Sequence, residues 1–117
     1  MAAPNIVNVA TITGKTAVQA VGTSATAIVT NSSGSNKVFK VNALYVSNID
    51  GSAAADITVD LFRSSTAYAI TSTISVPADS TLDIISKAIY LEEGDALRCT
   101  ASAAGDLVAV CSYEEIS

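Results

Sequence analysis

The chain has 117 residues, enough for one domain with a single hydrophobic core. Half of the residues are hydrophobic, there is no tryptophan or histidine, and eleven acidic residues against six basic ones give a net charge of −5. An acidic chain without a Lys/Arg cluster repels phosphate backbones, so nucleic-acid binding is not expected.

The first 35 residues are rich in small and hydroxylated side chains and carry one charge, Lys15. A strand of such residues is weakly specified by its own packing and gains most against a neighbouring subunit. Residues 1–35 are therefore predicted to form an N-terminal arm or edge strands that contact neighbouring subunits, and a plain edge strand of the same domain is an equal alternative. Glycines separate the strands predicted here: Ile6–Thr13, Thr16–Val21 and Thr26–Thr30.

A long strand is predicted next, over Lys37–Ile49. Its apolar residues fall on both faces, which favours a central position in a sheet, and its length favours a bulge near Asn42. Ile57, Val59 and Leu61 then alternate with polar residues, as in a half-buried strand.

The clearest alternation is in Tyr68–Val76, where Tyr68, Ile70, Ile74 and Val76 fall on one face. This predicts a half-buried strand, followed by a turn at Pro77. Further strands are predicted at Thr81–Ser86, Ala88–Leu91, Ala96–Ser102 and Leu107–Glu114. The last of them runs almost to the C-terminus, so that end is expected to be tied into a sheet.

Strands this short and this regularly punctuated are typical of a β-sandwich or barrel. No segment has a convincing helical period. The predicted fold is all-β: one antiparallel, jelly-roll-like β-sandwich domain over residues 1–117, with about eight to ten short strands. No apolar run reaches the roughly 18 residues of a membrane span, and the N-terminus lacks the pattern of a secretory signal. A soluble protein with no membrane partner is expected.

Two cysteines, Cys99 and Cys111, are twelve residues apart. Without histidine they cannot form a zinc site unaided. Two buried free thiols are the favoured interpretation. The alternative is that they face each other across a hairpin whose turn is Ala103–Asp106.

The chain contains no complete catalytic or nucleotide-binding motif. Gly14-Lys15-Thr16 resembles the end of a phosphate-binding loop, but Val9 stands where that loop needs glycine. Serine and threonine are plentiful, yet no histidine is present to act as a base. We expect no enzyme activity, no catalytic residues and no cofactor.

Carboxylates cluster in three places: Asp56 with Asp60, Asp79 with Asp83, and Glu92 and Glu93 with Asp95. A sugar-cleaving pair is improbable because aromatic residues are few. Calcium is the better alternative for the third cluster, but the alternating loop of calcium motifs is missing. The favoured interpretation is a solvated turn in which Gly94 adopts left-handed geometry, and no metal site is predicted.

Three phrases resemble a family of small virion structural proteins of tailed bacteriophages, especially those of marine cyanobacterial myoviruses. They are KVNALYVSNIDGSAAADITVDLF (Lys40–Phe62), ITSTISVPADSTLDIISKAIYLEEGDALR (Ile70–Arg98) and SYEEIS (Ser112–Ser117). The likeness covers roughly residues 37–117, and its specificity lies in the order and spacing of the phrases.

The resemblance implies a non-enzymatic protein of the virion, assembled in the bacterial host cytoplasm. A capsid decoration (cement) role is the first expectation, with homo-oligomers that contact major capsid, neck or tail proteins. A neck or tail component, such as a ring or a fibre-attachment adaptor, is the alternative. A host-surface binding module is a third, less favoured hypothesis.

Overall fold

The computed structural model describes residues 9–117, and all regular structure in this range is β, with nine strands and no helix. The predicted all-β antiparallel sandwich of eight to ten strands is confirmed. The strands are β1 (Ile12–Ala20), β2 (Thr26–Thr30), β3 (Val38–Asn48), β4 (Ala55–Arg63), β5 (Thr66–Val76), β6 (Thr81–Asp83), β7 (Ile89–Leu91), β8 (Ala96–Ala101) and β9 (Leu107–Ile116).

The strands form two antiparallel sheets. Sheet A has the order β1-β9-β3-β6, and β7 also pairs with β3; sheet B has the order β2-β8-β4-β5. The pairing is nested, because β1 pairs with β9, β2 with β8, β3 with β6 and β7, and β4 with β5. The two halves of the chain thus run antiparallel to each other, and the successive nested pairs alternate between sheet A and sheet B.

The core lies between the sheets and is filled by residues of both inner faces. β3, the central strand, buries Val41, Leu44 and Val46 completely. Ile57 and Leu97 are equally buried from sheet B. Aliphatic side chains of similar size interdigitate here, which favours close packing without large voids.

The long third strand is confirmed as central. β3 lies between β9 and the short strands β6 and β7. Its register against β9 shifts between Val41 and Ala43, so the predicted bulge at Asn42 is present. The C-terminus is tied into sheet A as expected, because the Ser117 N–H donates to the Thr11 carbonyl at 2.9 Å.

The two strands expected on either side of Gly14 are one strand. β1 pairs with β9 without a register shift from Ile12 to Ala20, and Gly14 lies opposite Glu114. Continuous pairing with β9 keeps Gly14 in an extended conformation. The prediction of two separate strands, Ile6–Thr13 and Thr16–Val21, is therefore wrong. Residues 6–8 of the expected first strand lie outside the described residues.

The half-buried face predicted for Tyr68–Val76 is also wrong. Only Val76 is buried, whereas Tyr68, Ile70 and Ile74 are 56%, 39% and 44% exposed. β5 is an edge strand with two register shifts against β4, and Thr73 has a φ of 46°. A bulge changes the face to which the following side chains point, so the alternation in the sequence does not mark one buried face of β5.

Two buried asparagines fix the loops at opposite ends of β3. Asn31 Nδ2 donates to the carbonyls of Lys37 and Leu91, both at 2.9 Å. Asn48 Nδ2 donates at 2.9 Å to two carbonyls, one of them that of Val76. Each amide satisfies backbone groups that the sheets leave unpaired, so these buried polar residues serve the fold.

Candidate interaction surface

The acidic turn at residues 92–95 is held by an ion pair. Arg63 Nε donates to Asp95 Oδ1 at 2.8 Å, and Arg63 Nη2 donates to Asp95 Oδ2. The Glu92 N–H also donates to Asp95 Oδ2 at 2.8 Å, and Gly94 has a φ of 90°. The predicted left-handed geometry at Gly94 is confirmed.

Asp95 is buried, while Arg63 and Glu92 remain partly exposed. Burial by itself raises the pKa of Asp95, but the Arg63 and Glu92 hydrogen bonds outweigh it and lower that pKa below 3.8. The carboxylate that a calcium ion would need is thus already paired with a guanidinium. This arrangement joins β4 to the turn before β8.

Asp60 and Asp83, from the other two carboxylate clusters, lie in different sheets. Asp60 accepts two hydrogen bonds from Arg98, at 2.8 and 3.2 Å. Asp83 is on β6 in sheet A, where it lies opposite Tyr45 of β3, whereas Asp60 and Arg98 are in sheet B. Within residues 9–117, no group of three or more acidic or cysteine side chains is placed to hold a metal ion.

Gly14-Lys15-Thr16 lies inside β1, not in a loop before a helix. Lys15 Nζ is 3.2 Å from Glu115, and Lys37 Nζ donates to the same carboxylate at 3.0 Å. Burial raises the pKa of Glu115, but the two lysines more than offset this and lower it. The cluster ties β1, β9 and the start of β3 together.

Cys99 and Cys111 are free and buried, as the favoured interpretation predicted. The hairpin alternative is wrong, because β8 lies in sheet B and β9 lies in sheet A. Burial raises the pKa of Cys99 to about 12, with smaller contributions from Cys111 and Asp60. Burial likewise raises the pKa of Cys111 to about 11. Both thiols are therefore inert at neutral pH.

No pocket lies among residues 9–117. The same part of the chain has no helix long and apolar enough to cross a bilayer. Any binding by this part of the chain would therefore involve the exposed faces and edges of the two sheets.

The outer face of sheet A has an apolar surface that spans three neighbouring strands. Register places Val18, Val110 and Tyr45 side by side on β1, β9 and β3, and Val18 and Tyr45 are 72% and 44% exposed. The adjacent row has Ala20 on β1 and Val108 on β9, and it ends at the polar Ser47 on β3. We call the five apolar residues of these two rows, Val18, Val110, Tyr45, Ala20 and Val108, the sheet A patch.

Charged residues border the sheet A patch. Asp83 on β6 lies next to Tyr45, and Glu114 and Lys40 pair two rows beyond the Val110 row. An apolar centre with a charged border is typical of a protein contact surface.

Sequence reasoning missed this patch. Alternation assigns apolar residues to the core, yet in β9 both faces are apolar, since Leu107, Ala109 and Cys111 point inward while Val108 and Val110 point outward. The signal was the unbroken apolar run 107–111 in a strand that has only one buried face. Only the register shows that the neighbouring strands extend it.

No protein-family model and no curated protein matches the chain. Among solved structures, it is similar to a protein of Bacillus endospore appendages, described as a family of disulfide-linked pili. The identity is 15%, the TM-score is 0.53, and the match covers 92% of this chain and 88% of that one. This likeness shows the shared fold.

The chain also matches two structures of a pentameric capsid protein isolated from metagenomic phage sequences. Both have 20% identity and a TM-score of 0.41, and both cover 86% of this chain. The chain spans only 60% and 62% of those capsid chains. The similarity is too low to support an argument about this protein.

Proposed function

We propose that this chain is a non-enzymatic structural protein of a tailed-phage particle, acting as a capsid decoration (cement) protein. It would assemble in the bacterial host cytoplasm and stabilise the virion by burying surface against its own copies and the major capsid protein. The observation that carries the proposal is the sheet A patch. Exposed apolar side chains that are contiguous and bordered by polar residues often mark a protein contact surface.

The strand order supports this proposal. The two antiparallel sheets have strands that pair in nested order, which is consistent with a jelly roll, and double-sheet jelly rolls occur in viral capsid domains as well as in lectins. The phage assignment itself rests on the sequence resemblance over residues 37–117. The appendage protein, which shares the fold, belongs to a family of pili and is thus itself a subunit of an assembly.

The mechanism is mechanical. A contact made by the five residues of one sheet A patch supports only a modest affinity. Much of the free energy gained from apolar burial is offset by the loss of translational and rotational freedom on binding. On a symmetric shell, copies that also contact each other attach through several linked contacts, which raises the overall affinity without new chemistry. The acidic surface, which keeps the free protein soluble, suits a component present in many copies.

Copy number tests the position on the particle. Quantitative mass spectrometry of purified virions should give hundreds of copies if the protein decorates the capsid. About six to twelve copies would identify a neck or tail ring and would overturn the decoration role. Saturable binding of the isolated protein on a glycan array would instead favour the host-surface module.

A pair of variants tests the sheet A patch. Tyr45→Lys places a charge in the patch and should strongly reduce the amount of protein on virions. Tyr68→Lys changes a more exposed tyrosine on β5 and should leave that amount unchanged. Equal occupancy by the two variants would show that sheet A does not face the particle.

A further inference from the structure

The four edges of the sandwich differ in how they are protected against pairing. Sheet edges expose unpaired N–H and C=O groups, and proteins blunt them with bulges, short strands, proline or charge. β5 has two register shifts, β2 has one in five residues, and β6 and β7 have three residues each. β1 has nine residues, no register shift and no proline.

The hydrogen bonds of β1 show which of its backbone groups are free. Thr11 exchanges two hydrogen bonds with Ser117, at 3.0 and 2.9 Å, and the Val21 N–H donates to Leu107 at 2.9 Å. Odd-numbered residues therefore face β9, because antiparallel strands alternate in this way. The N–H and C=O groups of the even-numbered residues point to the opposite edge, where no described residue pairs with them: Ile12, Gly14, Thr16, Val18 and Ala20.

We propose that the β1 edge pairs with the β1 edge of a second copy of this chain, antiparallel about a two-fold axis at Thr16. This inference extends the proposed function by naming the contact between copies. It places Ile12 opposite Ala20 of the second copy, and Gly14 opposite its Val18. The five even-numbered residues, which no other residue in 9–117 pairs at this edge, then form five hydrogen-bonded pairs, with about ten backbone hydrogen bonds in all.

The side chains of β1 fit this register. On the outer face, each large residue lies opposite a small one, so Ile12 covers alanine and Val18 covers glycine. Lys15, the one charged residue of β1, is held by Glu115 of its own chain at 3.2 Å and lies opposite Ala17 of the second copy. The pairing joins two sheets A into one and brings the two sheet A patches onto a single continuous face.

Engineered cysteines test the register. Thr16→Cys places two cysteines in a hydrogen-bonded pair with Cα atoms about 5.5 Å apart, within the range of a disulfide. Val18→Cys is the matched control, because its two copies are offset by four residues, roughly 13 Å along the strand. Mild oxidation of the full chain should give a covalent dimer with Thr16→Cys and no more than the wild-type background with Val18→Cys. Equal cross-linking of both variants, or of neither, would overturn the proposed register.

Amide exchange and mass test the edge without engineered cysteines. The wild-type chain should sediment at twice its 11.9 kDa mass, and the amides of Thr16 and Val18 should exchange slowly together with those of Lys15 and Ala17. Val18→Lys should shift the mass towards the monomer and expose the even-numbered amides, whereas Ile74→Lys on the bulged β5 edge should do neither.

Three results would overturn the proposal. The first is a monomer with fast exchange at Thr16 and Val18. The second is a monomer in which these amides are protected at every concentration, because the chain's own N-terminal residues would then cover the edge. The third is a ring of five or six copies. None of these results decides whether the protein is on the virion, which copy number measures separately.

Discussion

The ion pair between Arg63 and Asp95 supports a sharp prediction about stability. Asp95→Asn keeps the size of the side chain but removes the charge that two guanidinium N–H groups and the Glu92 N–H bind. Hydrogen bonds to charged groups contribute about 1.5–3 kcal/mol each. The asparagine Oδ1 can still accept hydrogen bonds and Arg63, which is 41% exposed, can be rehydrated, so the expected loss is below the sum of the three bonds, about 2–3 kcal/mol in total.

Glu92→Gln is the matched control, because Glu92 binds the same guanidinium at 2.8 Å but is 66% exposed. An exposed ion pair contributes about 0–1 kcal/mol, so this variant should be nearly as stable as the wild type. Urea unfolding followed by far-ultraviolet circular dichroism gives both free energies of unfolding. Equal losses in the two variants would contradict the view that burial of Asp95 decides the effect.

The pH dependence gives an independent check. The folded-state pKa of Asp95 lies below its ordinary value of 3.8, so the ionised carboxylate stabilises the fold above that value. Its contribution is lost as the pH falls through the folded-state pKa. The difference in stability between wild type and Asp95→Asn should therefore be constant at neutral pH and shrink below about pH 4. A difference that stays constant down to pH 2 would refute this reasoning.

Three further predictions concern the core and the turns. Cys99 and Cys111 should not react with a thiol reagent at pH 8 until the protein unfolds, because burial raises their pKa values to about 12 and 11; rapid labelling of the folded protein would contradict their burial. Gly94→Ala should cost about 1–2 kcal/mol, because its φ is 90°, whereas Gly22→Ala should be close to neutral in the same unfolding assay. Asn48→Ala leaves the buried Val76 carbonyl and the part-buried Ala53 carbonyl without this donor and should cost about 1–3 kcal/mol, and a loss below 1 kcal/mol would show that water replaces the amide.

The fold class could be predicted from the sequence because strand length and turn residues are local properties. β2 has the predicted bounds, and the bulge at Asn42 followed from the length of the strand around it. The β4–β5 turn was missed, because Ser64 and Ser65 adopt positive φ values of 52° and 60° without the usual glycine or asparagine. Nothing in the local sequence distinguishes this pair from other serines.

The sheet A patch could not be predicted from the sequence, because it depends on which strands become neighbours in the sheet. Alternation tells which residues of a strand share a face, but not whether a sheet covers that face. In β5 the alternation is clear and the face is exposed, while Val18 on β1 belongs to a patch only through its β9 neighbour. Which strands pair, and in which register, depends on the whole chain and cannot be deduced from the local patterns of one sequence.

The nested pairing also has a consequence for the order of folding. β4 and β5 are joined by a two-residue turn and can pair early, whereas β1 and β9 come from opposite ends of the chain and require the closure of the longest loop. β1 should therefore be the last strand to join the sandwich. Among the described residues β1 is bonded along one side only and it closes the longest loop, so it should also be among the first strands to detach in local unfolding. A partner that binds the β1 edge would thus slow the opening of the fold at its earliest step.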